Sequence, residues 1–167
     1  MASLTATIAT KVYTRLTKSA DLEAPASTIN LQINSNLSSG TGAAQADQQW
    51  SDTRTLAASA NEELDLYGVL TNQLGDTISF QKIRTIIIEA DSANTSAIEI
   101  GGAASNAFEG WISAGGKISI RPSGYLLLSA NDASGYAVTS TTDKLKIANL
   151  SATDSASYNI ILIGVNA

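Results

Sequence analysis

The sequence predicts an all-β fold, a sandwich or barrel with little or no helix, and three observations carry that expectation. Residues 118–165 hold four runs rich in β-branched, aromatic or leucine side chains, each closed by turn chemistry. Two long segments near the N-terminus alternate polar and apolar residues with period two. Ala, Ser and Thr fill much of the remainder, and Lys and Glu are too few to clothe long surface helices.

Each element follows from its local pattern. Residues 4–16 place Leu4, Ala6, Ile8, Thr10, Val12, Thr14 and Leu16 on one face and Thr5, Thr7, Lys11, Tyr13 and Arg15 on the other, which predicts a half-buried strand. Residues 17–27 read as a connector, since Pro25 cannot donate to a sheet ladder. The next strand turns Ile29, Leu31, Ile33 and Leu37 inward and Asn30, Gln32, Asn34 and Asn36 outward. Residues 38–49, rich in Ser, Gly, Ala and Gln, are the least structured stretch and predict an exposed loop. Residues 1–49 thus form a hairpin and loop with the character of an arm, and residues 50–167 the main domain of one compact module.

Within that domain strands are expected over residues 50–60 and 64–70, with a Gly-Asp turn at Gly75-Asp76 before a short strand at 78–80. Residues 83–90 contain Ile86-Ile87-Ile88, apolar on both faces, as a central strand buried on both sides requires. A strand at 97–100 leads into Gly101-Gly102, a loop needing positive φ. The closing strands, 118–121, 125–130, 136–141 and 158–165, are expected to form one sheet, with only a short run at 145–148 between the last two. The total is roughly ten strands.

Composition narrows function. The chain of 167 residues is 44% hydrophobic and 15% charged, enough for one real core. A net charge of −5 disfavours nucleic acid, which selects a basic stripe. Cys and His are both absent, removing disulfides, Cys/His metal sites, Cys nucleophiles and the Ser-His-acid triad. No apolar run is long enough to span a membrane, and no basic-then-apolar leader opens the sequence, so a cytosol-like compartment is expected.

The remaining candidates each have a plainer reading. The glycines at 101 and 102 lack the Gly-Lys-Ser/Thr or Gly-x-Gly-x-x-Gly context of a phosphate site. Glu89 and Asp91 share a strand face about 7 Å apart and could act as a glycosidase pair, but a solvated strand end explains them. Glu62, Glu63 and Asp65 are read the same way, and no calcium loop is present. Neither a catalytic residue, a metal nor a cofactor is assigned. Asp52 and Arg54 share a face and can pair with each other or with a neighbouring subunit. Trp50, Phe108 and Trp111 are core or edge-covering aromatics, with interface anchoring as the second reading. Three Asn-x-Ser sequons carry no weight without a secretory leader.

In order along the chain stand Asp52-Thr53-Arg54-Thr55-Leu56, Glu63-Leu64-Asp65-Leu66, Gly75-Asp76-Thr77-Ile78, the run from Gly101 through Phe108, Ile120-Arg121-Pro122-Ser123-Gly124-Tyr125, Gly135-Tyr136-Ala137-Val138, Leu145-Lys146-Ile147 and Tyr158-Asn159-Ile160-Ile161. This succession, spanning residues 50–165, resembles small structural proteins of tailed bacteriophages, and among them capsid decoration (cement) proteins. The resemblance implies a β-sandwich of jelly-roll type. It also implies a homotrimer on the virion surface that binds and stabilises the assembled major capsid shell, with no enzymatic activity, no nucleic acid and no membrane. Contacts are expected at Trp50, Asp52, Arg54, Phe108 and Trp111 and in the 38–49 loop. The alternative is a tail- or fibre-associated module contacting a host glycan, with Trp111 or Tyr125 as the stacking aromatic.

Overall fold

The computed structural model describes residues 3–166, and among them the fold is all-β, with thirteen strands in three open, mainly antiparallel sheets and no helix. The strands are β1 (Ala6–Thr17), β2 (Ala26–Ser39), β3 (Gln45–Ala46), β4 (Gln48–Leu56), β5 (Asn61–Asp65), β6 (Tyr67–Thr71) and β7 (Thr77–Ala90). They continue as β8 (Ile98–Gly101), β9 (Lys117–Ile120), β10 (Tyr125–Ser129), β11 (Tyr136–Ala137), β12 (Lys144–Asn149) and β13 (Ala156–Asn166).

The body consists of two sheets. The larger runs β10-β7-β13-β4, with β6 and β11 also paired to β7; the smaller runs β5-β12-β8-β9. Their pairings are nested: β8 pairs β9, β7 pairs β10, β5 pairs β12 and β4 pairs β13, all antiparallel. The chain therefore doubles back at the 102–116 loop, and β4, β5, β7 and β8 before the loop each find a partner after it. Gly101 and Gly102 start that loop at φ 100° and 67°, the positive φ expected of them.

One core fills the space between the two sheets. Phe80, Ile86, Ile88, Tyr158, Ile160 and Leu162 come from the larger sheet, and Leu64, Ile98, Ile100, Leu145 and Ile147 from the smaller. The isoleucine run is central, as its pattern predicts, since β7 lies between β10 and β13, but it is buried on one side only. Ile86 and Ile88 enter this core, whereas Ile87 is half-buried and Glu89 exposed on the outer face, which no second layer covers among the described residues.

Several boundaries depart from expectation. Residues 78–80 and 83–90 are one strand, because Gln81 and Lys82 continue the ladder toward β11 and β13. Residues 64–70 divide at buried Leu66, where the chain leaves the smaller sheet as β5 and enters the larger as β6. The four closing strands do not make one sheet. β9 belongs to the smaller sheet and β10, β11 and β13 to the larger. The 136–141 run contributes only a two-residue strand, whereas the short 145–148 run is an interior strand, β12. Alternation explains the last point: Leu145 and Ile147 are fully buried, and Lys146 between them faces outward.

The N-terminal segment is a hairpin, as expected, but it is not half-buried. β1 and β2 pair without interruption from Ala6↔Leu37 to Thr17↔Ala26. Only its root meets the body: Ile8 and Leu37 pack with Ala46 and Ile163, beside Leu4, Ala6 and Leu127. Beyond the root, the face expected to point inward is open, because the hairpin runs past the body and no other described segment covers it. The 38–49 stretch is likewise more ordered than expected. β2 extends to Ser39, β3 pairs with it in parallel, and Ala46 is fully buried.

Candidate functional site

The five residues expected to make contacts lie in different environments. β4 is the edge strand of the larger sheet, and Trp50 and Leu56 point from it into the core. Phe108 is also wholly buried, at the smaller sheet's side, where its amide bonds the Lys144 carbonyl. Trp111 packs against the core while half-open to solvent, and its indole N–H donates to the Phe108 carbonyl at 3.0 Å. These two aromatics thus cover one end of the core, a placement that uses the indole's polar tip as well as its ring.

Asp52 and Arg54 do pair with each other, at 3.0 Å, and a third partner joins them. Arg54 reaches across to Glu62 on β5, the edge strand of the smaller sheet, and donates from both Nε and Nη2. Glu62 also accepts the Tyr158 phenol at 2.7 Å. This network ties the two sheets together at their open edge. Its Glu62 hydrogen bond holds the Arg54 guanidinium even more firmly protonated than usual, and burial followed by Glu62 raises the Tyr158 phenol well above the ordinary tyrosine range.

Of the other candidate carboxylates, Asp65, Asp91 and Glu89 have structural partners. Asp65 pairs with Lys144 across β5 and β12, raising the lysine above its usual value. Asp91 accepts the Ala93 amide at 2.8 Å in the turn after β7. Glu89 stands on the outer face of the larger sheet and accepts from Asn159 Nδ2 at 3.3 Å. Among the described residues no group of three or more metal-ligating side chains comes together.

That outer face carries an ordered polar row. Tyr125, Glu89, Asn159 and Thr53 stand side by side on β10, β7, β13 and β4. Thr53 donates to Asn159 at 2.8 Å, which in turn donates to Glu89. Tyr125 ends the row largely exposed. Ser51, Asp52 and Gln73 flank it in an open cleft of about 520 Å³.

Arg84 is the residue that sequence reasoning passed over. It is completely buried, and its guanidinium donates only to main-chain carbonyls: Gly42 at 2.9 Å, Gln45 and Ala133 at 3.3 Å, Thr41 at 3.5 Å, and Asp132. It thereby fastens the loop beneath the hairpin to the 131–135 turn. The available signal was a lone charge among isoleucines, in Ile83-Arg84-Thr85-Ile86, which demands an internal set of acceptors.

The dominant uncovered feature is the hairpin. Because opposed residues in an antiparallel pair share a face, Val12, Leu16, Ile29, Leu31 and Ile33 all project from one side with Thr10, Thr14 and Ser27. The opposite side carries Lys11, Tyr13, Arg15 and the Asn/Gln row. Compared with known proteins, the chain matches no family model, no curated protein and no solved structure.

Proposed function

We propose that this chain is a structural protein of a bacteriophage virion, of the capsid decoration type, which binds the assembled major capsid shell as a homotrimer and stabilises it. The observation that carries the reading is the hairpin: twelve residue pairs whose apolar side, beyond the root, no described residue covers. An isolated two-stranded ribbon is marginal in water, and large open apolar patches mark interaction sites. A chain that invests its N-terminal segment this way is built to be completed by assembly.

The body supports a jelly-roll-type sandwich. Numbering β4, β5, β7, β8, β9, β10, β12 and β13 from 1 to 8, the sheets run 6-3-8-1 and 2-7-4-5, and the nested pairs are 1 with 8, 2 with 7, 3 with 6 and 4 with 5. Eight strands in two sheets of this kind are found in viral capsid and lectin domains, so the fold fits the reading without deciding it. The resemblance of residues 50–165 to phage structural proteins supplies the context.

The mechanism is mass action. A protein that binds only the assembled shell lowers that state's free energy by its binding free energy, and several copies acting together multiply weak contacts. Asp52, Arg54 and Trp111 are the members of the expected contact set that remain open to solvent, and the 38–49 segment sits beside the hairpin root. Assembly would take place in the bacterial cytoplasm and the protein would reside on the capsid surface. Cryo-electron microscopy of purified virions tests this: density over capsid-subunit junctions is expected, and density confined to the tail overturns it.

The polar row ending in Tyr125 favours a second reading, a tail-associated module that stacks a sugar on the ring and hydrogen-bonds it through Glu89 and Asn159. Glycan binding that is lost in Tyr125→Ala, together with tail density, would establish it. No binding by the parent chain across a panel of host glycans would refute it.

A further inference from the structure

We propose that the uncovered side of the β1–β2 hairpin is a self-association surface, on which hairpins from two or more copies of this chain pack apolar side against apolar side. The inference deepens the assembly role proposed above but is read on the isolated chain, so it can fail while shell binding holds, and the reverse.

The patch is large. Its aliphatic side chains range from 46% exposed at Val12 to 75% at Leu16, with Ile29, Leu31 and Ile33 between. Together they leave on the order of 500 Å² of apolar surface open, at the upper end of what monomeric proteins tolerate. Packing two such sides buries about twice that before the flanking Thr and Ser residues are counted, which approaches the roughly 1,200–2,000 Å² of stable complexes.

Charge and shape point to a second copy as the occupant. The apolar side carries no ionisable residue, since Lys11 and Arg15 both lie on the opposite side, so two copies can close on each other without opposing like charges. Two identical ribbons also share one length and one right-handed twist, so their sides conform along the span beyond the root. Stacking converts two marginal two-stranded ribbons into a two-layer unit with its own dry interior, about 10 Å between layers. The root already shows this mode on a small scale, where Ile8 and Leu37 on the same side seat against Ile163 of the body.

Sedimentation equilibrium of the full chain tests the proposal, with the double variant L31K/I33K as comparison. Both positions are exposed in the single chain, so the variant keeps its fold, which the thermal melt of the body verifies. The parent is expected to be oligomeric and the variant to fall to the 17.3 kDa of one chain. Because the chain has no cysteine, single Cys variants report the geometry. A short bismaleimide should join chains through Val12→Cys or Leu31→Cys on the apolar side, and not through Tyr13→Cys or Asn30→Cys on the other. A monomeric parent overturns the proposal. So does an oligomer indifferent to L31K/I33K, or one that cross-links only through the polar side.

Discussion

Replacing Arg84 with Met keeps most of the aliphatic stem and removes the guanidinium, which isolates what that group does. Of its five carbonyl contacts, that to Gly42 has ordinary hydrogen-bond length at 2.9 Å, Asp132 is the second close partner, and the others are stretched to 3.3–3.5 Å. Two charge-assisted bonds are worth about 1.5–3 kcal/mol each. Removing a wholly buried charge returns part of that, because the Arg no longer needs to be desolvated. The freed carbonyls belong to surface loops and can rehydrate. A net loss of about 3 kcal/mol follows, or about 6–12 °C in Tm for a chain of this size. The loss should be local in character: amide exchange at Ala44, bonded to the Asn131 carbonyl, and at Gly40, bonded to Ala46, should quicken more than exchange in β7 or β13. Urea unfolding and hydrogen exchange of Arg84→Met measure both. A variant with parental stability and unchanged exchange at Gly40 and Ala44 would refute the reasoning.

Three further outcomes are expected. Gly164 lies at a bulge in β13, where an added Cβ would meet the Lys82 carbonyl at 2.2 Å and the Phe80 ring at 2.8 Å, so Gly164→Ala should cost about 2–3 kcal/mol in thermal unfolding; a melt within a degree of the parent contradicts it. Tyr158 is held neutral by burial and Glu62, so its contribution is complete below the unfolded phenol value of about 10 and disappears as pH rises toward its higher folded value. Denaturant midpoints should therefore fall above about pH 10 and fall less steeply in Tyr158→Phe. Asp132 is held below the ordinary carboxylate range by the Gly135 and Ser134 amides, so its contribution is present above about pH 4 and vanishes as pH drops through the lower folded value. Asp132→Asn should flatten that acid limb, and a limb identical to the parent's would exclude the role.

Strand identity was largely legible from periodicity, whereas burial and sheet membership were not. Alternation over residues 4–16 states that two sides of a strand differ, and it does so correctly for Val12 against Tyr13. It does not state what covers the apolar side, and here, beyond the root, no described residue does. Leu64 and Leu70 read as one strand because both are apolar, yet the chain changes sheets at Leu66, a topological event with no local signature. The aromatics show the same limit. Trp50 and Phe108 look alike in sequence to Trp111, but only Trp111 keeps contact with solvent. Asp52 and Arg54 were recognised as partners from their spacing. Glu62 was not, since it reaches them from another sheet.

The nested pairing also fixes the order in which the molecule can come into being. β4 can take its place only beside β13, and their bonded side chains Thr53 and Asn159 are 106 residues apart. β13 lies between β4 and β7, so the larger sheet has no continuous middle until the last strand is available. Pairing across such separations makes folding of the body slow. The hairpin, by contrast, needs only its own neighbouring residues to register and emerges first. The hairpin, with its apolar side open, can therefore be complete before the body is.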